Sequence, residues 1–147
     1  MAGSTIVAVK QALVTELSAL GGMSAVSISY AHPGERGGKE ILYCGAVRDG
    51  DHEAVALKAG RRRREENYEL DVQIVVSGTK LTEERSETRA MVIGTLVEEY
   101  LADNPTINDV PNVRFVVVSG IEMETITTTN GPLTQLTLTV SVKARLL

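Results

Sequence analysis

A strict alternation of apolar and polar residues near the C-terminus is the pattern that most constrains the fold. From Leu136 to Ala144 every second residue is apolar, and Thr, Ser or Lys lies between. Because side chains of a strand point alternately to the two faces of a sheet, this pattern predicts a strand with one buried face. The turn residues Asn130, Gly131 and Pro132 precede it. Residues 113–128 are the predicted partner strand, with a kink at 119–120, so the chain closes in a long β-hairpin.

A second alternating stretch lies in the middle of the chain, over residues 67–77. It predicts another half-buried strand. Two shorter strands are predicted over residues 25–30 and 40–47, and the second is apolar enough to be buried on both faces. Residues 49–51, Asp-Gly-Asp, have the composition of a turn.

Two amphipathic helices are also predicted. Ser4 can cap the first, which would stop at Gly21-Gly22 in a left-handed conformation, and Thr79 or Thr82 can cap the second, which would end before Pro105. Their apolar stripes recur at three- and four-residue steps. The stripe residues are Ile6, Val9, Leu13, Leu17 and Leu20 in the first helix, and Ala90, Ile93, Leu96, Val97, Tyr100 and Leu101 in the second.

This order of elements predicts one domain over residues 1–147 with an α+β fold of two layers. We expect a mixed or antiparallel sheet of about four to six strands, two helices packed on one face, and the long C-terminal β-hairpin.

Composition excludes several classes of function. Aromatic residues make up 3% of the chain and the net charge is −4, which argues against base stacking and general phosphate binding. The single cysteine cannot form an internal disulfide. The longest uncharged stretches contain Ser, Thr, Gly and Pro, so we predict no membrane span.

Few residues are suited to catalysis. Cys44 lies in an apolar stretch, where a free cysteine is typically a small buried hydrophobic residue. His32 and His52 lie among loop-forming or acidic residues and are interpreted as solvated histidines. Asp49, Asp51 and Glu53 alternate and could offer oxygens to a hard cation, but the calcium-loop pattern is not completed. The sequence thus predicts no enzyme, no cofactor and no metal site.

The strongest charge feature is a run of four arginines, followed at once by two glutamates. It permits three interpretations: a solvated loop leading into a strand, a contact with another subunit or partner, or a nucleic-acid site. The run consists of Arg61, Arg62, Arg63 and Arg64.

The long strands leave a further alternative open. Residues 125–142 carry no charge and are rich in Thr and Val. If they formed an exposed sheet edge, they would favour edge-to-edge assembly, whereas a central position in the sheet would need no partner.

The whole layout resembles the tail terminator, or tail completion, proteins of long-tailed bacteriophages. The resemblance covers nearly the full chain and is carried by the order of its elements: the first helix and two strands, the segment GRRRREENYELDVQIVVSG (60–78), the helix with ERSETRAMVIGTLVEEYL (84–101), and the closing hairpin ending in VSVKARLL. It includes no catalytic signature.

The resemblance implies a structural virion protein located in the tail, at the head–tail junction. It implies a six-fold ring of identical subunits that stops polymerisation of the tail tube. The tube protein would contact one face of the ring and the connector or stopper protein the other, with DNA only passing through the channel. Another neck component, a head completion or stopper protein, shares similar size and layout and is the alternative.

Overall fold

The computed structural model describes residues 4–34, 39–56 and 63–146, without the side chains of residues 49–56, 63 and 64. It has the predicted α+β architecture: helices cover one face of a five-stranded mixed sheet. In chain order, the elements are α1 (Ile6–Ser18), a short 3-10 helix (Gly21–Met23), β1 (Ser27–Ser29), β2 (Glu40–Ala56), β3 (Arg63–Ser77), α2 (Glu83–Asp103), β4 (Val113–Thr128) and β5 (Gly131–Leu146).

The strands lie in the order β1-β2-β3-β5-β4. The predicted hairpin is β4–β5, and β5 also pairs with β3 along almost its whole length, from Arg64 opposite Leu146 to Ser77 opposite Leu133. The short β1 runs parallel to β2, and the other neighbours are antiparallel. The strand with the clearest alternation is therefore interior, and its partner β4 lies at the edge.

The core lies between the helices and one face of the sheet. The alternating apolar residues of β3 and β5 are all buried, as predicted, and so are Val9, Leu13 and Leu17 of α1. Most of the predicted α2 stripe joins them, namely Ala90, Ile93, Val97 and Leu101. Burial of aliphatic side chains from both layers is the main stabilising contribution in such a sandwich.

The helix ends agree with prediction in part. Thr82 caps α2, since its hydroxyl accepts from the Arg85 N–H at 3.2 Å. The N-cap residue of α1 is Thr5 and not the predicted Ser4, although the Ser4 hydroxyl accepts from the first helical N–H, that of Ile6, at 3.2 Å. The predicted left-handed stop at Gly21-Gly22 is wrong, because the chain continues there into the 3-10 helix without a positive φ. Neither helix in the described part of the chain is long and apolar enough to cross a bilayer.

The predicted turn at residues 49–51 is also wrong, because β2 continues through it to Ala56. Pairing shifts by one extra residue on β2 between Arg48 and Asp51, which face Glu69 and Asn67 of β3. Such a bulge lets the strand continue past a turn-like sequence while its pairing is kept. The kink predicted at residues 119–120 is confirmed by a similar shift, between Val118 and Gly120 of β4.

Candidate functional site

Cys44 and His32 lie on opposite sides of the sheet. Cys44 is 4% exposed within the core, and burial raises the pKa of its thiol to about 11, although nearby Lys10 acts in the other direction. The His32 ring packs edge-on against Tyr43, with centroids 4.9 Å apart. Since Tyr43 and Cys44 are consecutive in a strand, their side chains point to opposite faces. These two residues therefore do not converge in a cleft. The side chain of His52 is not among those that the structure describes.

The acidic residues whose side chains are described do not form a metal site. Among the described side chains, no group of three or more His, Cys, Asp and Glu residues could hold a metal ion. Asp49, Asp51 and Glu53 belong to β2, but their side chains are not described. The interpretation of these three residues stays a prediction.

The described part of the arginine run, Arg63 and Arg64, begins β3 at the end of the sheet where β2 ends. Arg61 and Arg62 are outside the described residues. Arg63 and Arg64 belong to the backbone of β3, opposite Ala56 and Ala54 of β2. Half of the run is thus strand, not loop, and its role as a subunit or partner contact stays a prediction.

A buried polar cluster just after this run was missed from the sequence. Glu66 is fully buried, and its Oε1 accepts hydrogen bonds from the Thr5 backbone N–H at 2.9 Å and from the Thr5 hydroxyl at 2.7 Å. The Thr5 hydroxyl also lies 3.1 Å from the Tyr68 hydroxyl. Burial raises the pKa of Tyr68 to about 12; the Thr5 contact opposes this shift and the Glu66 charge adds to it. The cluster joins the start of α1 to β3.

The adjacent Glu65 is not part of this cluster and lies beside two arginines. Its Oε1 lies 3.5 Å from a guanidinium nitrogen of Arg114 and 3.5 Å from one of Arg145. Extending the alternation of β3 backward from Tyr68 would have placed Glu66 on the core face and Glu65 on the other. The alternation of β3 is therefore the sequence feature from which the burial of Glu66 could have been predicted.

The sheet face opposite the helices, here called the open face, is covered by neither α1 nor α2. Its centre is polar: Gln73 Oε1 accepts from Gln135 Nε2 at 2.9 Å and from the Thr137 hydroxyl at 2.7 Å. Three large apolar side chains at its β4 side are exposed, Phe115, Val117 and Ile126. This face thus offers hydrogen-bonding groups and a small apolar area to solvent.

Both outer strands have unpaired backbone edges within the described residues. β4 pairs only with β5 among the described strands, so most of its other edge is free; on that edge the Val116 N–H donates to the Pro105 carbonyl at 2.7 Å. At the opposite side, β1 covers only Ile41–Tyr43 of β2. Of the two predicted alternatives, the exposed sheet edge therefore applies to β4, and the central position in the sheet applies to β5. Long free edges can pair with strands of another chain.

A groove of about 940 Å³ lies between α2 and β4. This α2–β4 groove has an apolar floor that includes Met91, Val92, Leu96 and Met123, and carboxylates at the end where α2 begins. Met91 and Val92 are 39% and 45% exposed, outside the stripe predicted for the core. The acidic members are Glu83, Glu84 and Glu87.

Comparisons with known proteins give a fold likeness. No protein-family model matches the chain, and no curated protein matches it either. A solved structure with a similar fold is a chain of the virion of a native gene transfer agent (GTA) particle. The TM-score is 0.65, the identity is 11%, and the match covers 98% of this chain and 99% of that one. At this identity the likeness shows a shared fold.

Proposed function

We propose that this protein is a structural component of a virion, forming a ring at the head-proximal end of the tail tube. The observation that carries the proposal is the match, over almost the full length of both chains, to a chain of a gene transfer agent virion. The order of elements, which resembles the tail terminators, supports the more specific role. In this role the ring stops tube polymerisation and offers a surface for joining to the head.

The sheet edges support assembly into a ring. β4 and most of β2 present backbone groups that no described strand pairs with, and these edges lie at opposite sides of the sheet. Contacts between two different surfaces of the same chain are heterologous, and they form a closed ring when the rotation between copies is suitable. A six-fold ring around a channel for DNA is consistent with this arrangement.

The contacts of the two ring faces follow from the role. One face would bind the last ring of tube protein, and the other would bind the connector or stopper protein. Termination requires the two faces to differ, because a face that matched the tube on both sides would allow the stack to continue.

Electron microscopy of particles made without this protein tests the proposal. We expect overlong tubes that are not joined to heads, and complementation with the wild-type gene should restore tails of normal length. Tails of normal length that remain unjoined would instead favour another neck component. Normal tails joined to heads would contradict both roles.

A nucleic-acid function based on Arg61, Arg62, Arg63 and Arg64 makes a different prediction. Phosphate contacts release counterions, so binding would weaken steeply as salt rises. A titration of labelled DNA and RNA at low salt should detect no binding if the ring proposal is correct.

A further inference from the structure

The α2–β4 groove has a distinctive combination of surface properties. Exposed Met91 and Val92 lie on its apolar floor, and Ile121, two residues before Met123 on the same face of β4, is 55% exposed. The charged residues that line it within the described ranges are all acidic. Glu87 also accepts a hydrogen bond from the Thr125 hydroxyl at 2.9 Å, which holds this carboxylate beside β4. A complementary occupant needs an apolar side chain close to several cations.

The sequence of the β2–β3 connection has this complementary chemistry. Residues 57–64 read LKAGRRRR, with an apolar residue at its start, five cations and no acidic residue. We refer to residues 57–64 as the basic segment. Arginine is suited to the partner surface, because its guanidinium forms charge-assisted hydrogen bonds with carboxylates and its stem covers apolar surface.

The described strand residues that flank the connection, Ala56 of β2 and Arg63 of β3, lie at the opposite end of the sheet from the groove of the same copy. Arg64 pairs with Leu146 of β5, whereas Met123 of the groove pairs with Leu136. The ten-residue separation from Leu136 to Leu146 corresponds to about 33 Å along a strand. A connection of six residues between Ala56 and Arg63 extends at most about 10–12 Å beyond its strands, since it must return. The segment therefore cannot fill the groove of its own copy.

We propose that the basic segment of one copy docks in the α2–β4 groove of a second copy. Leu57 contacts the apolar floor, and the arginines pair with Glu83, Glu84 and Glu87. The inference rests on the proposed ring and names the surfaces by which its subunits join. Because the two surfaces differ, the contact is heterologous and can repeat around a ring.

Charge reversal tests the pairing. Arg61→Glu/Arg62→Glu and Glu84→Lys/Glu87→Lys should each weaken self-association on the order of tenfold, and combining all four changes should restore it. Sedimentation velocity over a range of protein and salt concentrations measures the association. Glu98→Lys/Glu99→Lys, on the exposed part of the same helix, is the matched control and should associate like the wild type.

Cross-linking tests the location without changing charge. In a Cys44→Ala background, Ala59→Cys on one copy and Met91→Cys on another should form an intermolecular disulfide when the two single variants are mixed and oxidised. Val7→Cys, an exposed position on α1, replaces Met91→Cys in the control mixture and should cross-link far less. Equal cross-linking in the two mixtures, or none with Met91→Cys, would overturn the docking proposal.

The two proposals fail in distinguishable ways. If deletion particles have overlong, unjoined tubes but the reversed variants assemble like the wild type, the ring role stands and the groove contact is wrong. If the charge swap shows the specific loss and recovery but deletion leaves tails normal and joined, the contact stands and the tail role is wrong.

Discussion

The Thr5 hydroxyl donates to Glu66 Oε1 at 2.7 Å, across 61 positions of the sequence. The Thr5 backbone N–H donates to the same oxygen at 2.9 Å, and both residues are buried. A carboxylate removed from water must recover its hydrogen bonds within the protein. Thr5 supplies two of them, and in doing so it fixes the start of α1 against the first residues of β3.

Removing the hydroxyl should therefore destabilise the fold. Thr5→Val keeps the shape of the side chain but deletes one donor to a buried acceptor, which costs about 1–3 kcal/mol. Urea unfolding followed by circular dichroism measures the loss in free energy of unfolding. Thr5→Ser retains the donor and should be closer to the wild type. Equal stability of Thr5→Val and the wild type would contradict the proposed importance of this bond.

Much of the fold could be predicted because its signals are local. The alternation in β5 and in β3 from Tyr68 onward follows directly from the two-residue period of a strand. The Thr82 cap is likewise defined by the residues next to it. Features of this kind depend on neighbours along the chain, so one sequence contains them.

Other features depend on distant parts of the chain. β1 is parallel to β2, and the hydrophobic periodicity of a strand does not indicate its direction relative to a neighbouring strand. The continuation of β2 past Asp49 depends on pairing with β3, which overrides local turn preference. The α2–β4 groove exists because β4 leaves Met91 and Val92 of α2 uncovered, and only the packing of the two elements reveals this.

Gly131 should tolerate substitution poorly. Its φ is +96°, and a Cβ at this position would overlap the carbonyl oxygen of Gly78. Backbone strain of this type costs about 1–3 kcal/mol before the clash is considered. We expect Gly131→Ala to lower the free energy of unfolding by at least about 2 kcal/mol in urea titrations.

Gly21→Ala is the matched control for this substitution. Gly21 has no positive φ, and a Cβ there would meet no atom within 4 Å. The free energy of unfolding of Gly21→Ala should remain within about 0.5 kcal/mol of that of the wild type. If both alanine variants lost the same stability, the conformation at Gly131 would not be the cause.

Stability should fall at alkaline pH because of Cys44. Its pKa is raised to about 11 in the folded protein, so the unfolded thiol loses its proton first as the pH rises. The stabilising contribution is complete below the unfolded pKa of about 9.0 and is lost between there and about pH 11. At about 1.4 kcal/mol per pKa unit, the loss is of order 2–3 kcal/mol.

Cys44→Ala isolates this effect. The variant differs from the wild type in packing at every pH, but it should show a smaller decrease in free energy of unfolding between about pH 9.0 and 11. Tyr68 titrates in both proteins, so its contribution cancels in the difference. Parallel curves for the two proteins would show that the thiol is not the source. The folded thiol should also resist iodoacetamide at pH 8 until urea unfolds the chain.

A bidentate ion pair should couple α2 to β2 more strongly than the other described surface pairs. Arg89 Nε lies 2.7 Å from Glu40 Oε2, and a terminal guanidinium nitrogen lies 3.0 Å from Oε1, with both side chains partly buried. Two parallel hydrogen bonds fix the guanidinium in one geometry. The pair should therefore contribute more free energy than a typical exposed ion pair. A double-mutant cycle of Arg89→Ala and Glu40→Ala should give a coupling of about 0.5–1 kcal/mol, decreasing in high salt.

The contact between Arg48 and Glu69 is the comparison for that cycle. Its nitrogen and oxygen are 3.5 Å apart, and both side chains are more than 40% exposed. The guanidinium of Arg48 also bonds Asp71 at 2.8 Å, so removing Glu69 leaves its better partner in place. We expect a coupling near zero for Arg48 with Glu69. Equal couplings in the two cycles would mean that bidentate geometry and partial burial add nothing, and that the α2–β2 contact depends on apolar packing alone.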